Sequence, residues 1–331
     1  MGIFSKKEKW ENFNGNINIY SDLKKADIPK IIAEENIYSL QLYKFKKPSK
    51  RTWETLNEFY KRYPDIGLRV LWYDQQDLSF YKKIPNIRNF TIASFNTKDY
   101  SQLLSNTKLK HFGIEETKSS AIDLSFIREF SDLESLYVDG MKKGLENIKY
   151  LQKLNKLTFR GVKLDNLDFL SDLENLEELS LLFGSYKNLD SLSNLKKLKS
   201  IEISRVRQIP SFDFLNSLEC LEKIEFEGMS KMEKLPDLSG LTNLKRIQID
   251  NNSRLIDITN LKQLQNLETF LLFFPENFKA AYRKELFKQA TDFLLESDTV
   301  KYTNLFFWLE DDIKKLLEEK GIKKWDYRME I

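Results

Sequence analysis

His111 and Cys220 are the only histidine and the only cysteine in 331 residues. Any nucleophilic, metal-binding or imidazole-based chemistry has to start from one of these two. A catalytic histidine needs convergent partners. Glu115 and Glu116 share its turn, so an enzyme centred on His111 with Glu115 or Glu116 is the alternative reading of the chain. A surface histidine paired with a carboxylate is the plainer account. Cys220 stands between Leu218 and Leu221 and reads as an inert, partly buried thiol. With no second cysteine there is no internal disulfide, which fits a reducing compartment. The 11 glycines are scattered and form no phosphate-cradling loop. No cofactor and no metal are implied.

The other chemistry within reach of these residue types is recognition. Aromatic and arginine side chains dominate the energy of protein interfaces. Here they stand at Tyr20, Tyr43, Arg69 and Trp72 near the N-terminus, then at Tyr137, Arg160, Phe183 and Arg205. Acidic residues are interleaved, Glu115, Glu116 and Asp139 in one stretch and Glu202, Glu225, Glu227 and Asp250 in another. Leu182 beside Phe183 makes a small apolar island among them. Two plainer readings stand beside this one. Charges on an exposed sheet keep it soluble, and the N-terminal aromatics can pack on residues 1–15 as a cap.

What sets these residues in rows is a repeating apolar column. Leu136, Leu157, Leu179, Ile201, Ile224, Ile247 and Phe270 are separated by 21 to 23 residues. Ile17, Leu40, Leu68, Phe90 and Phe112 extend the column backwards, and all twelve anchors have an apolar residue two places on. That alternation is the mark of a short half-buried strand. A fixed period of this length implies stacked repeats, none able to bury its own core. Leucine-rich columns nine and twelve residues before the anchors face inward from the return path. The register expects Leu179, Leu181, Ile201, Ile203, Ile224 and Phe226 to be buried, and Ser180, Glu202 and Glu225 to be exposed.

The clearest repeat is LTNLKRIQIDNNSRLIDITNL, residues 241–261. It resembles the leucine-rich-repeat family, and within it the bacterial internalin type. The resemblance implies an α/β solenoid with a curved parallel sheet on the concave side and short helices and turns on the convex side. It puts Asn252 where the family places an asparagine that hydrogen-bonds the neighbouring turn. Elsewhere that position holds Met141, Val162, Gly184, Val206, Met229 and Pro275, so apolar packing is expected to hold those turns. The resemblance also points to a bacterial source.

The flanks differ. DIPKIIAEEN, with Asp27 as cap, and TWETLNEFYKRYP, with Thr52 as cap, read as convex helices. After Phe270 the apolar period stops. Residues 276–296 read as an amphipathic helix with Phe278, Tyr282, Leu286, Ala290 and Phe293 or Leu294 on one face. A second helix is expected from Trp308 to Lys320, closed by Gly321, and TVKYTNLFF between them is strand or coil. The organisation expected is an N-terminal cap at 1–15 with Trp10 and Phe13 closing that end, an array of about twelve repeats at 16–274, and a helical C-terminal cap at 275–331.

Charge is balanced, 53 basic against 50 acidic residues, and mixed along the chain, which argues against a nucleic-acid stripe. No apolar run is long enough to cross a membrane. The first ten residues lack a signal-peptide core, and Lys6 breaks a Gly2 myristoylation motif. A cytoplasmic protein is expected. The function expected is non-catalytic binding of a protein partner on the concave face, as an inhibitor, an immunity-type protein or a scaffold.

Overall fold

The computed structural model describes residues 8–74, 77–118, 122–206, 209, 211–276 and 279–326. Gly2, Lys6 and Phe278 lie outside them. The chain divides into two compact units, residues 1–154 and 155–331.

The first unit contains β1 (Trp10–Phe13), β2 (Asn16–Ile19), β3 (Ser39–Leu42), β4 (Gly67–Leu71), β5 (Asn89–Ala93), β6 (His111–Ile114) and β7 (Ser135–Asp139). From β2 to β7 the strands are parallel and in sequence order, with Ile17, Leu40, Leu68, Phe90, Phe112 and Leu136 in register. β1 turns back on β2 in an antiparallel hairpin. Asn14 and Gly15 both have positive φ, 49° and 84°, the backbone that a two-residue hairpin turn requires. The hairpin pairs the edge that β2 would otherwise expose. Trp10 is half-buried and donates to Glu34 at 2.8 Å, whereas Phe13, expected to help close this end, is 67% exposed. Alternation on β1 points it to solvent.

Helix α1 (Ile28–Ile32) precedes β3, and α2 (Lys50–Arg62) precedes β4. The α2 cap is Ser49, whose Oγ accepts the Thr52 N–H, and not Thr52 as the sequence suggested. Thr52 sits one turn inside, fully buried, donating to Asp22 at 2.6 Å and accepting the Leu23 N–H. The face of α2 made by Trp53, Leu56, Phe59 and Tyr60 is buried. Asp27 precedes α1 but uses its carboxylate on the Lys24 N–H and on Lys9, not on that helix.

The second unit contains β8 (Lys156–Arg160), β9 (Lys163–Leu164), β10 (Glu178–Leu182), β11 (Ser185–Tyr186), β12 (Ser200–Ser204), β13 (Lys223–Glu227), β14 (Arg246–Asp250) and β15 (Thr269–Phe273). β9 and β11 pair separately. The others form a parallel sheet with Leu157, Leu179, Ile201, Ile224, Ile247 and Phe270 in register. Every anchor in both units, and every residue two places on, is at most 1% exposed. Ser180, Glu202 and Glu225 are half-buried rather than exposed. With strands about 4.8 Å apart, neighbours in a row shade one another.

The return segments are short 3₁₀ turns. Thirteen residues before most anchors a polar side chain accepts the N–H two residues on: Asp77 to Ser79, Asp99 to Ser101, Asp123 to Ser125, Asn166 to Asp168, Asn188 to Asp190, Ser211 to Asp213 and Asp257 to Thr259. This column caps the turns. Met141, Val162, Gly184, Val206 and Met229 are buried, as apolar packing of the turns requires. Asn252 accepts the Met229 N–H at 2.6 Å and donates to the Phe226 carbonyl at 2.9 Å, the role that the resemblance implied.

Beyond β15 come α3 (Ala280–Glu296), β16 (Tyr302–Thr303), α4 (Asp311–Glu319) and β17 (Lys323–Lys324). The segment left open between the helices is a strand: β16 pairs parallel with β15, and β17 with β16. α3 starts at Ala280 and buries Leu286, Ala290, Phe293 and Leu294. Tyr282, expected on that face, is 39% exposed. Gly321 follows α4 with φ of 83°, the left-handed stop read from the sequence. Among the described residues no helix is long and apolar enough to cross a membrane.

Candidate functional site: the open face of each sheet

On the first unit the side chains of the sheet face satisfy one another. Arg69 on β4 makes a two-pronged contact with Glu115, Nε to Oε1 at 3.0 Å and Nη2 to Oε2 at 2.8 Å. Its Nη1 donates to Gln41, which also accepts from Asn16 and donates to Asn18. The His111 ring lies between two hydroxyls, Thr91 Oγ1 at 3.2 Å from Nε2 and Ser135 Oγ at 3.1 Å from Nδ1. A shallow groove of about 300 Å³ runs past Arg69, Thr91, His111 and Glu115. Both Glu115 oxygens are committed to a guanidinium, which makes it the partner of a bidentate ion pair and a poor general base. The His111–Glu115 centre therefore gains no support from its geometry.

Of the N-terminal aromatics, Tyr20 and Tyr43 are exposed, 37% and 44%. Tyr20 donates to Glu11 of β1 at 2.9 Å, which ties it to the N-terminal hairpin. Trp72 does not belong to this face. It is 2% exposed and wedged edge-on against Trp53 and Phe80, with ring centroids 6.1 and 5.1 Å away. β4 ends at Leu71, and Trp53 of α2 together with Phe80 of the following turn holds the indole in the core. Tyr137 on β7 is half-buried.

The second unit presents a different face. Phe183, 43% exposed, lies between two guanidinium groups, Arg160 at 5.1 Å and Arg205 at 5.3 Å from its ring centroid. Arg205 also pairs with Glu227, Nη2 to Oε1 at 3.0 Å, while Ser204 donates to Glu227 Oε2 at 2.6 Å. A side chain at Gly228 would collide with Arg205, its Cβ falling 2.7 Å from the arginine Cγ, so glycine lets that arginine cross the turn.

The backbone under this stack is unusual. The position four after the anchor is left-handed at Gly161 (φ 65°), Phe183 (55°), Arg205 (52°), Gly228 (59°) and Asn251 (53°). Each N–H there donates to the next strand, from Gly161 to Leu182 at 2.7 Å through Asn251 to Phe273 at 3.0 Å. Those bonds fix the conformation whatever the side chain. Glycine and asparagine adopt it readily, but a bulky residue costs about 1–2 kcal/mol. Phe183 and Arg205 occupy it nonetheless.

Beside the stack, Glu202 faces Glu225 across the ladder and Glu227 faces Asp250. Burial, then Glu202, raises the Glu225 carboxyl above its ordinary value. Burial, then Glu227, does the same to Asp250. A carboxyl whose folded value is raised holds a proton that the unfolded chain has lost, so stability falls as pH rises through that window. Glu225→Gln keeps an acceptor for Gln248 Nε2, now 3.0 Å from Oε1, and removes the charge. We expect it to stabilise the protein at pH 7, with the gain vanishing below the ordinary glutamate range. Chemical denaturation of the two proteins across pH 4–8 checks this; a gain independent of pH overturns it.

Cys220 is exposed, not partly buried. Its flanking leucines point inward and the turn carries the thiol outward. Sequence reading also missed Gly228, Arg246 and Trp325. The Arg246 guanidinium stands 5.7 Å from the Trp325 ring, a contact between residues far apart in sequence. At the C-terminal end Phe274, Phe287 and Trp308 line an open cleft of about 440 Å³ with Arg283 at its rim.

No protein-family model matches the sequence, and no curated protein matches it. Solved structures do. An internalin, InlF, of Listeria monocytogenes superposes with a TM-score of 0.54 at 15% identity, covering 92% of this chain and 89% of its own. A leucine-rich-repeat protein of Leptospira interrogans gives 0.44 at 16% identity over 80% of this chain and 73% of its own. An internalin C2 of Listeria monocytogenes gives 0.44 at 18% identity, over 58% and 83%. At 15% identity the likeness to InlF concerns architecture, and it agrees with the strand register and the Asn252 contact: the chain has the leucine-rich-repeat fold.

Proposed function

We propose that the chain is a non-catalytic module that binds a protein partner on the open sheet face of residues 155–273, centred on Arg160, Phe183 and Arg205. The observation that carries this reading is the placement of two bulky residues in a left-handed turn that Gly161, Gly228 and Asn251 occupy without strain. Packing of the core does not explain Phe183, which is 43% exposed. Its stacking on two arginines returns about 0.5–1 kcal/mol each, which only offsets the strain. An aromatic held rigidly between arginines and open to solvent is the composition of an interface hot spot. The acidic residues alongside set which partner surfaces are tolerated. The exposed free thiol of Cys220 supports a reducing compartment.

Affinity capture from the native lysate followed by mass spectrometry identifies the partner, and Phe183→Gly then tests the site. We expect that variant to keep its stability within about 1 kcal/mol, because relief of strain and loss of stacking oppose each other. Binding is expected to weaken by about tenfold or more. A captured partner that binds Phe183→Gly and Arg160→Ala as tightly as the parent protein rules this face out.

A further inference from the structure

We infer that the cleft beside α3 takes the last residue of a polypeptide partner, its apolar side chain against the rings and its terminal carboxylate on Arg283 and Lys284. The site is separate from the Phe183 face. β15, which ends at Phe273, lies four strand steps from β10, about 19 Å.

Three rings make the cleft. Phe274 meets Phe287 of α3 at 6.4 Å and Trp308 edge-on at 5.9 Å between centroids. Trp308 is 49% exposed, and Phe307 beside it 65%. Covering β15 does not call for this exposed surface, because Phe293 and Asn304 already pack and hydrogen-bond there. A volume of about 440 Å³ falls in the range of ligand pockets. It has room for one large side chain with its carboxylate.

The rim supplies the charge. Arg283 uses Nη2 on the carbonyls of Pro275 and Glu276, at 3.1 and 3.5 Å, and stands 5.8 Å from the Phe274 ring. Neither Arg283 nor Lys284 has a carboxylate partner among the described residues. Along α3 no acidic residue stands three or four positions from either, so the usual pairing on a helix surface is closed to them. Both lie within the first five residues of α3, where a cation opposes the helix dipole. Helix stability therefore does not account for them, and an anion seated in the cleft does.

A single carboxylate fits better than a polyanion. Glu276 is the one carboxylate among the described lining residues, and Glu310, Asp311 and Asp312 follow Trp308 closely in the chain. A nucleic acid or an acidic membrane that satisfied Arg283 would bring its next charges onto these groups. The cleft is open to solvent, so a chain end can enter while the rest of the polypeptide leaves. A free small acid would stay half in water, whereas pocket ligands of that size are mostly enclosed.

The probes are acetyl-leucyl-phenylalanine with a free C-terminus, its C-terminal amide, acetyl-leucyl-alanine and 3-phenylpropionate. Each is titrated into the full chain and followed by the tryptophan indole N–H signals in NMR, that of Trp308 being assigned by its loss in Trp308→Phe. The expected result is a saturable shift of the Trp308 signal by the phenylalanine acid. The amide and the alanine-ended peptide are each expected to bind about tenfold or more weakly. Arg283→Gln and Lys284→Gln, verified as folded by their melting curves, are expected to bring the acid down towards the amide and to leave the amide unchanged. Lys284 is exposed, so its variant decides the matter even where Arg283→Gln disturbs the turn at Pro275. No saturable shift, equal binding of acid and amide, or an acid preference that survives both substitutions overturns the inference. So does 3-phenylpropionate binding as tightly as the peptide, which makes the ligand a free acid. Phe183→Gly is expected to bind the probes as the parent protein does; a tenfold loss there places the peptide on the sheet face and overturns the cleft.

Discussion

Leu179→Ala is expected to lower the free energy of unfolding by about 2–5 kcal/mol, while Ser180→Ala, one residue on, is expected to change it by less than about 0.5 kcal/mol. Leu179 is 1% exposed and sits between Leu157 and Ile201 in the ladder. Removing its three outer carbons loses their transfer energy and leaves a cavity flanked on both sides by other anchors. Strand hydrogen bonds hold those anchors in register, so the gap cannot close by a shift of one side chain. Ser180 points to the open face, where water already reaches it. Because a repeat array can lose cooperativity, the measurement is native-state hydrogen exchange of β8 to β12 alongside denaturant unfolding. Equal destabilisation by the two substitutions would mean that the register is wrong.

The register was legible because it rests on the simplest signal a chain offers. A strand alternates its side chains, and a repeat must bury the same positions each time. All twelve anchors could be placed from residue type and spacing alone, and within each unit the ladder pairs them as placed. The capping column was equally present in DLS, NLD and DIT, yet it passed unread, because a lone polar residue before a leucine has many meanings until the turn is seen. Trp72 went wrong for a related reason. Its position follows the strand, but two aromatics from other segments, Trp53 and Phe80, decide its direction. The Phe183 stack was half visible. The sequence put Arg160, Phe183 and Arg205 on one face; the left-handed backbone beneath was readable only in the glycines and asparagine of the sister turns. Arg246 with Trp325 was out of reach, because nothing periodic connects them.

Truncation before Pro275 is expected to give an insoluble or partly molten protein. The last full strand, β15, carries Phe270, Leu271 and Leu272, all at most 1% exposed. Earlier strands place a polar or small residue at the position of Leu271. Here the tail covers it, so removing the tail exposes an apolar row as well as an open strand edge. Phe270 packs edge-on against Phe293 of α3 at 5.6 Å, and Asn304 accepts the Leu272 N–H at 3.0 Å while donating to its carbonyl at 2.9 Å. Without the tail those two backbone groups lose their partners, and β15 becomes a template for a second chain. Asn304→Ala separates the two effects. It keeps the apolar cover but leaves a buried donor and acceptor unpaired, at about 1–3 kcal/mol for each group left unsatisfied. Gel filtration, binding of a hydrophobic dye and thermal unfolding report on both variants. The point substitution is expected to melt lower yet stay monodisperse, and the truncated chain to bind dye and aggregate. A soluble truncated chain with the parent melting temperature would show that residues 275–331 form a separate module, and that the cover they give β15 contributes nothing to the stability of the repeats.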